Sequence, residues 1–100
     1  MNITVNAPPA IAITAPLNNA SFNFPATIVI DATASDTDGT ISKVEFFQGT
    51  TKLGEDLSSP YSFTWSDVAS GNYSLTAIAI DNLGAATTSA LVNISVNAPP

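Results

Sequence analysis

The chain alternates apolar and polar residues in short runs, at a period of two that suits strands and not helices. Residues 26–34 set Ile28, Ile30, Ala32 and Ala34 against Thr27, Val29, Asp31 and Thr33. Residues 41–48 set Val44 and Phe46 against Lys43, Glu45 and Phe47. Beyond Pro60, Tyr61, Phe63 and Trp65 alternate with Ser62 and Thr64, and beyond Asn72 the inward positions are Tyr73, Leu75, Ala77 and Ala79. A last run over 86–96 turns Ala90, Val92, Ile94 and Val96 inward, and shorter runs at 11–14 and 51–53 bring the set to seven. Turn chemistry separates them: Pro16 with Asn18 and Asn19, the polar stretch 35–40, Gly49 with Thr50, and 81–84. Seven short strands that all need partners predict an all-β sandwich, with Trp65 and Tyr73 as the aromatic mass of its core.

The ends of the chain carry a duplication. Residues 2–9 and 93–100 are identical at every position but one, where Thr4 is replaced by Ser95. A tandem array with a repeat of about 91 residues explains the match. The domains then divide into a junction and linker at 1–9, a sandwich at 10–96 and a linker to the next repeat at 97–100. Paired prolines in each linker favour an extended, semi-rigid backbone, which predicts a stiff array whose partners in cis are neighbouring identical repeats.

Only 10% of the 100 residues are charged, and the net charge is −6, with Lys43 and Lys52 as the only cations. Nucleic acid and anionic membrane surfaces both need a basic footprint, so neither is a partner. No apolar run is long enough to insert into a bilayer as a helix. Histidine and cysteine are absent, which removes His-based triads, thiol nucleophiles and nitrogen-ligated metals. The carboxylate pairs Asp36 with Asp38 and Glu55 with Asp56 sit in turn sequence, without the apolar pocket that would raise one pKa for glycoside cleavage. No catalytic residue is assigned.

Several of these features resemble one family. The run from Ala34 to Phe47, Thr51 to Gly54, Pro60 to Trp65, Gly71 to Ala77 and Asp81 to Ala85 is similar to the bacterial Ig-like repeats of secreted glycoside hydrolases and large surface adhesins. The resemblance covers about residues 8–97. It implies an immunoglobulin-like seven-stranded antiparallel β-sandwich, extracellular, repeated in tandem and without a shared active site.

Two binding features follow from that topology. Three inter-strand connections gather at one end of such a sandwich, bringing Asp36, Asp38, Glu55, Asp56 and Asp81 together with Asn82, where the incoming linker from Asn6 to Pro9 also arrives. Crowded hard oxygen donors at a junction suit Ca²⁺, which would stiffen the array. Asp36, Asp38, Gly39 and Glu45 also match part of a calcium-loop spacing, but Ala34 stands at the first ligand position. The same Asp-x-Asp-Gly sequence is ordinary turn chemistry. The second feature is hydrophobes that alternation turns outward: Phe47, Ile78, Ile80 and Leu91, a candidate patch for a glycan or protein at the cell surface. Asn2, Asn19, Asn72 and Asn93 each begin an Asn-x-Ser/Thr triplet, which a chain rich in these residues produces by chance. A spacer or linker in a secreted or cell-surface multidomain protein is the expected function, with an adhesive or ligand-binding module, calcium-stiffened, as the alternative.

Overall fold

The computed structural model describes residues 7–37 and 39–98. Nine strands lie among them: β1 (Ala10–Ala15), β2 (Ala20–Asn23), β3 (Ala26–Ser35), β4 (Ile41–Gln48), β5 (Thr51–Asp56), β6 (Tyr61–Val68), β7 (Gly71–Asp81), β8 (Ala86–Thr88) and β9 (Val92–Asn97). They form a three-stranded sheet, β1-β3-β6, and a six-stranded sheet ordered β2-β9-β7-β4-β5, with β8 also paired to β7. Every expected run is a strand. The count rises from seven to nine because β2 forms at the first edge where the alternation placed no strand, and the last run divides into β8 and β9.

At the first edge β1 stops at Pro16, which has no N–H to extend the β1–β3 ladder. The chain turns through Asn19, at a φ of 68°, and crosses to the other sheet. Asparagine tolerates that left-handed conformation better than most side chains. Asn19 N–H donates to the Asn93 carbonyl at 2.7 Å, and Asn93 N–H donates to Asn18 Oδ1 at 2.9 Å. These bonds dock β2 beside β9 in parallel register, Ala20 opposite Ile94 and Phe22 opposite Val96. The sandwich is therefore not wholly antiparallel.

The last run breaks between β8 and β9. Ser89 is buried and takes the inward position expected for Ala90, which is exposed. Its N–H donates to the Ala77 carbonyl at 2.8 Å, and its Oγ accepts from Ala77 N–H at 3.0 Å. Its hydroxyl proton goes to the Ala90 carbonyl at 3.0 Å. One serine so replaces a missing rung of the ladder and pairs the buried Ala77 N–H. The pleat slips by one residue here, and Val92, Ile94 and Val96 return to the core as expected.

The core lies between the sheets. Ile28, Ile30 and Ala32 of β3 face Val44 and Phe46 of β4 and Leu75, Ala77 and Ala79 of β7, all buried. Phe46 is fully buried, which stabilises the fold by about 1.5–3 kcal/mol. Its cross-strand neighbours are Ala77 on one side and Gly54 on the other. Those small residues leave room for Phe63 of the opposite sheet, whose ring stacks on Phe46 with centroids 6.1 Å apart. The centre is thus Phe46, while Trp65 and Tyr73 are half-buried at one end of the core. They meet edge to face at 5.0 Å, and the Tyr73 hydroxyl donates to the Ala69 carbonyl at 2.7 Å. That bond closes the β6–β7 corner as the tyrosine corner of such sandwiches does.

Candidate functional site

Three of the carboxylates singled out for calcium, Asp81, Asp56 and Glu55, have partners of their own. Asp81, at the end of β7, is 2% exposed, and its Oδ1 accepts from Leu83 N–H at 2.9 Å and Ala85 N–H at 2.8 Å. It builds the β7–β8 turn. Asp56, at the end of β5, accepts from Ser58 N–H at 3.3 Å and Ser62 N–H at 3.1 Å and closes the β5–β6 loop. Glu55 points to the outer face of the large sheet, where it accepts from Lys52 Nζ at 2.6 Å. Asp36 is half-buried beyond β3, and Asp38 lies outside the described residues. Among the described residues no three acidic side chains gather into a group that could hold a metal ion. Asn82 does join two of the turns: its Oδ1 accepts from Thr40 N–H at 3.2 Å, and its N–H donates to the Thr40 carbonyl at 3.0 Å.

The outer face of β4, β5 and β7 mixes charge with apolar groups. Lys52 Nζ lies 2.9 Å from Glu45 and 2.6 Å from Glu55, and Lys43 Nζ lies 3.4 and 3.5 Å from the same two carboxylates. The hydrogen bond from Lys52 is the main cause holding Glu45 below the ordinary carboxylate pKa, and it lowers Glu55 likewise. Lys52 is raised in return, chiefly by its bond to Glu55. Cross-strand register sets Lys43 opposite Ile80, Glu45 opposite Ile78 and Lys52 opposite Phe47. Phe47, Ile78 and Ile80 share this face and are half-buried among the charged side chains. Leu91 is 59% exposed on the β8–β9 connection, apart from their strands.

Sequence reasoning passed over a cleft on the same sheet. It has a volume of about 320 Å³ and is lined by the polar Asn19, Asn72, Ser74, Asn93 and Ser95 together with Ala20, Tyr73 and Ile94, on or beside β2, β9 and β7. Ser74 Oγ donates to Asn93 Oδ1 at 2.9 Å across the ladder. The signal for it was the Asn-x-Ser triplets: at 72–74 and 93–95 the first and third residues fall on one face of a strand, and Asn19 stands in the turn just before β2.

Comparison with known proteins agrees with this architecture. The fold is similar to the fibronectin(III)-like modules of Clostridium thermocellum CbhA, at 30% identity and a TM-score of 0.82, covering 87% of this chain and 94% of that one. The PKD1 domain of Vibrio anguillarum Epp shares the fold at 17% identity and a TM-score of 0.68, over 95% of this chain and 100% of the other. A structure described for carbohydrate-binding modules of the β-sandwich superfamily aligns at 25% identity and a TM-score of 0.70, over 95% of this chain but 36% of that one. No curated protein matches the sequence. The profile of one family, described as bacterial Ig domain, matches residues 9–77, more than half of the length. The chain belongs to the bacterial Ig domain family.

Proposed function

We propose that the chain is a non-catalytic module that spaces and links other modules of a secreted or cell-surface multidomain protein. The observation that carries this reading is the repeated octapeptide, residues 2–9 and 93–100, which joins a strand sequence to a Pro-Pro linker. In the second copy, residues 93–97 belong to β9, while residues 2–6 lie outside the described residues. Pro9 is buried against the sandwich, so little of the linker is left to bend. Three linker residues in a polyproline conformation span about 9 Å at ~3.1 Å each, too short for neighbouring modules to fold back on one another. An extracellular setting is supported by the likeness to modules of glycoside hydrolases and proteases.

A two-repeat protein tests the reading by small-angle scattering. An extended particle about twice the length of one module is expected, with a shorter and more variable one when Pro8 and Pro9 are replaced by glycine. Equal, flexible profiles for the two proteins would reject the spacer role.

A further inference from the structure

We propose that the cleft on the outer face of β2, β9 and β7 binds a neutral, hydroxyl-rich polysaccharide, weakly and without ring stacking. Three Asn-x-Ser triplets, 19–21, 72–74 and 93–95, are far apart in sequence. The fold brings them onto, or in the case of Asn19 just before, three adjacent strands in the order β2-β9-β7. Register sets Ser95 between Ser21 and Asn72, and Asn93 opposite Ser74. Nothing in the core asks for amides here, since the outward positions of the same sheet on β4 and β5 are charged or apolar.

The donor set decides the ligand class. No ionisable side chain other than the Tyr73 phenol lines the cleft. The two lysines lie on β4 and β5 and are paired with Glu45 and Glu55, so an anionic glycan meets no counter-charge. A metal cation would find no carboxylate in the lining. Side-chain amides and hydroxyls each combine donor and acceptor capacity, which matches the paired hydroxyls of a sugar ring. The hydrogen bond from Ser74 to Asn93 Oδ1 fixes the orientation of that amide. Neighbouring strands are ~4.8 Å apart, close to the advance per sugar of an extended chain, so a glycan lying across the strands meets one polar row at each. Tyr73 offers no stacking platform because its ring packs on Trp65. Binding at one cleft is accordingly weak, and repetition of the module would raise it through effective concentration.

The test is an NMR titration of the ¹⁵N-labelled protein with neutral gluco-, manno-, xylo- and arabino-hexasaccharides and a soluble α-glucan, with oligogalacturonate as the anionic comparison. Shifts at 19–21, 72–74 and 93–95, including the side-chain amides of Asn72 and Asn93, are expected with at least one neutral saccharide. Asn72→Ala is expected to weaken that binding about three- to tenfold while leaving the melting temperature unchanged, since Asn72 is exposed. The proposal is overturned by no shift at about 10 mM of any neutral saccharide, by stronger binding of the oligogalacturonate, by shifts centred on Phe47 and Ile78, or by undiminished affinity in Asn72→Ala. These outcomes are independent of the scattering test, which reads the linker.

Discussion

Replacing Gly54 by alanine probes how the two sheets meet. A Cβ on Gly54 would stand 2.5 Å from Phe63 Cε1 and 2.8 Å from Phe63 Cδ1, well inside ordinary contact. The ring cannot simply retreat, because it stacks on Phe46, which is fully buried between β5 and β7. Phe63 itself is half-buried, so part of the clash is relieved by tilting outward at the expense of that stack. Overpacking of this kind costs about 1–3 kcal/mol, and the stiffer unfolded chain of the alanine variant returns about 0.4–1 kcal/mol. The net loss is roughly 1–2 kcal/mol, a fall in melting temperature of roughly 5–15 °C for a domain of this size. Thermal and urea unfolding measure it directly. Phe63→Leu supplies the control: the smaller side chain vacates the space, so Gly54→Ala made in that background should be several-fold less damaging. An unchanged or raised melting temperature for Gly54→Ala, or an equal penalty in both backgrounds, would refute the reasoning.

Further outcomes follow from other contacts. Ser89→Ala leaves the Ala77 N–H without its acceptor between β8 and β9, and a loss of about 1–3 kcal/mol by urea unfolding is expected; a neutral result would show that water or a shifted β8 replaces the serine. Glu45 and Glu55 have carboxyls held below their ordinary value of 4.5, so their stabilisation is complete above that pH and is lost as the pH falls through the lowered values. Lys52, raised above 10.5, contributes fully below that pH and loses its share as the pH climbs through the raised value. An NMR pH titration of the Glu45 carboxyl should move back toward 4.5 in Lys52→Met, and an unmoved midpoint would remove Lys52 as the cause. Calcium titration followed by thermal melting tests the acidic end, where Asp56 and Asp81 accept backbone N–H groups in their own turns: a rise in melting temperature would place an ion there, and an unmoved midpoint would leave these carboxylates to their turns.

Alternation by itself makes most of the core legible: Ile28 and Ile30, Val44 and Phe46, and Leu75 through Ala79 all lie where period two places them. What it misses depends on contacts between distant residues. The crossing of the first edge is fixed by Asn18 and Asn19 meeting Asn93, a partner no local pattern indicates. Ser89 reads as a surface residue because its polar side chain hides the fact that it completes a ladder. Phe46 displaces Trp65 and Tyr73 from the centre because Gly54 and Ala77 flank it, and that depends on register. The carboxylates illustrate the same limit. Their positions in turns are readable, but whether an oxygen faces an ion, a lysine or a backbone N–H is set by side-chain direction. For the cleft, each Asn-x-Ser triplet is visible alone, and only the order β2-β9-β7 makes them neighbours.

The spacer role is tested most directly by a distance measurement between adjacent modules. The chain has no cysteine, so Ser42→Cys, an exposed position on β4, introduced into each module of a two-repeat protein gives one spin label per repeat. Pulsed electron paramagnetic resonance is expected to return a single narrow distance distribution that broadens when Pro8 and Pro9 become glycine. A broad distribution in the unaltered linker would contradict a module built to hold its neighbours apart.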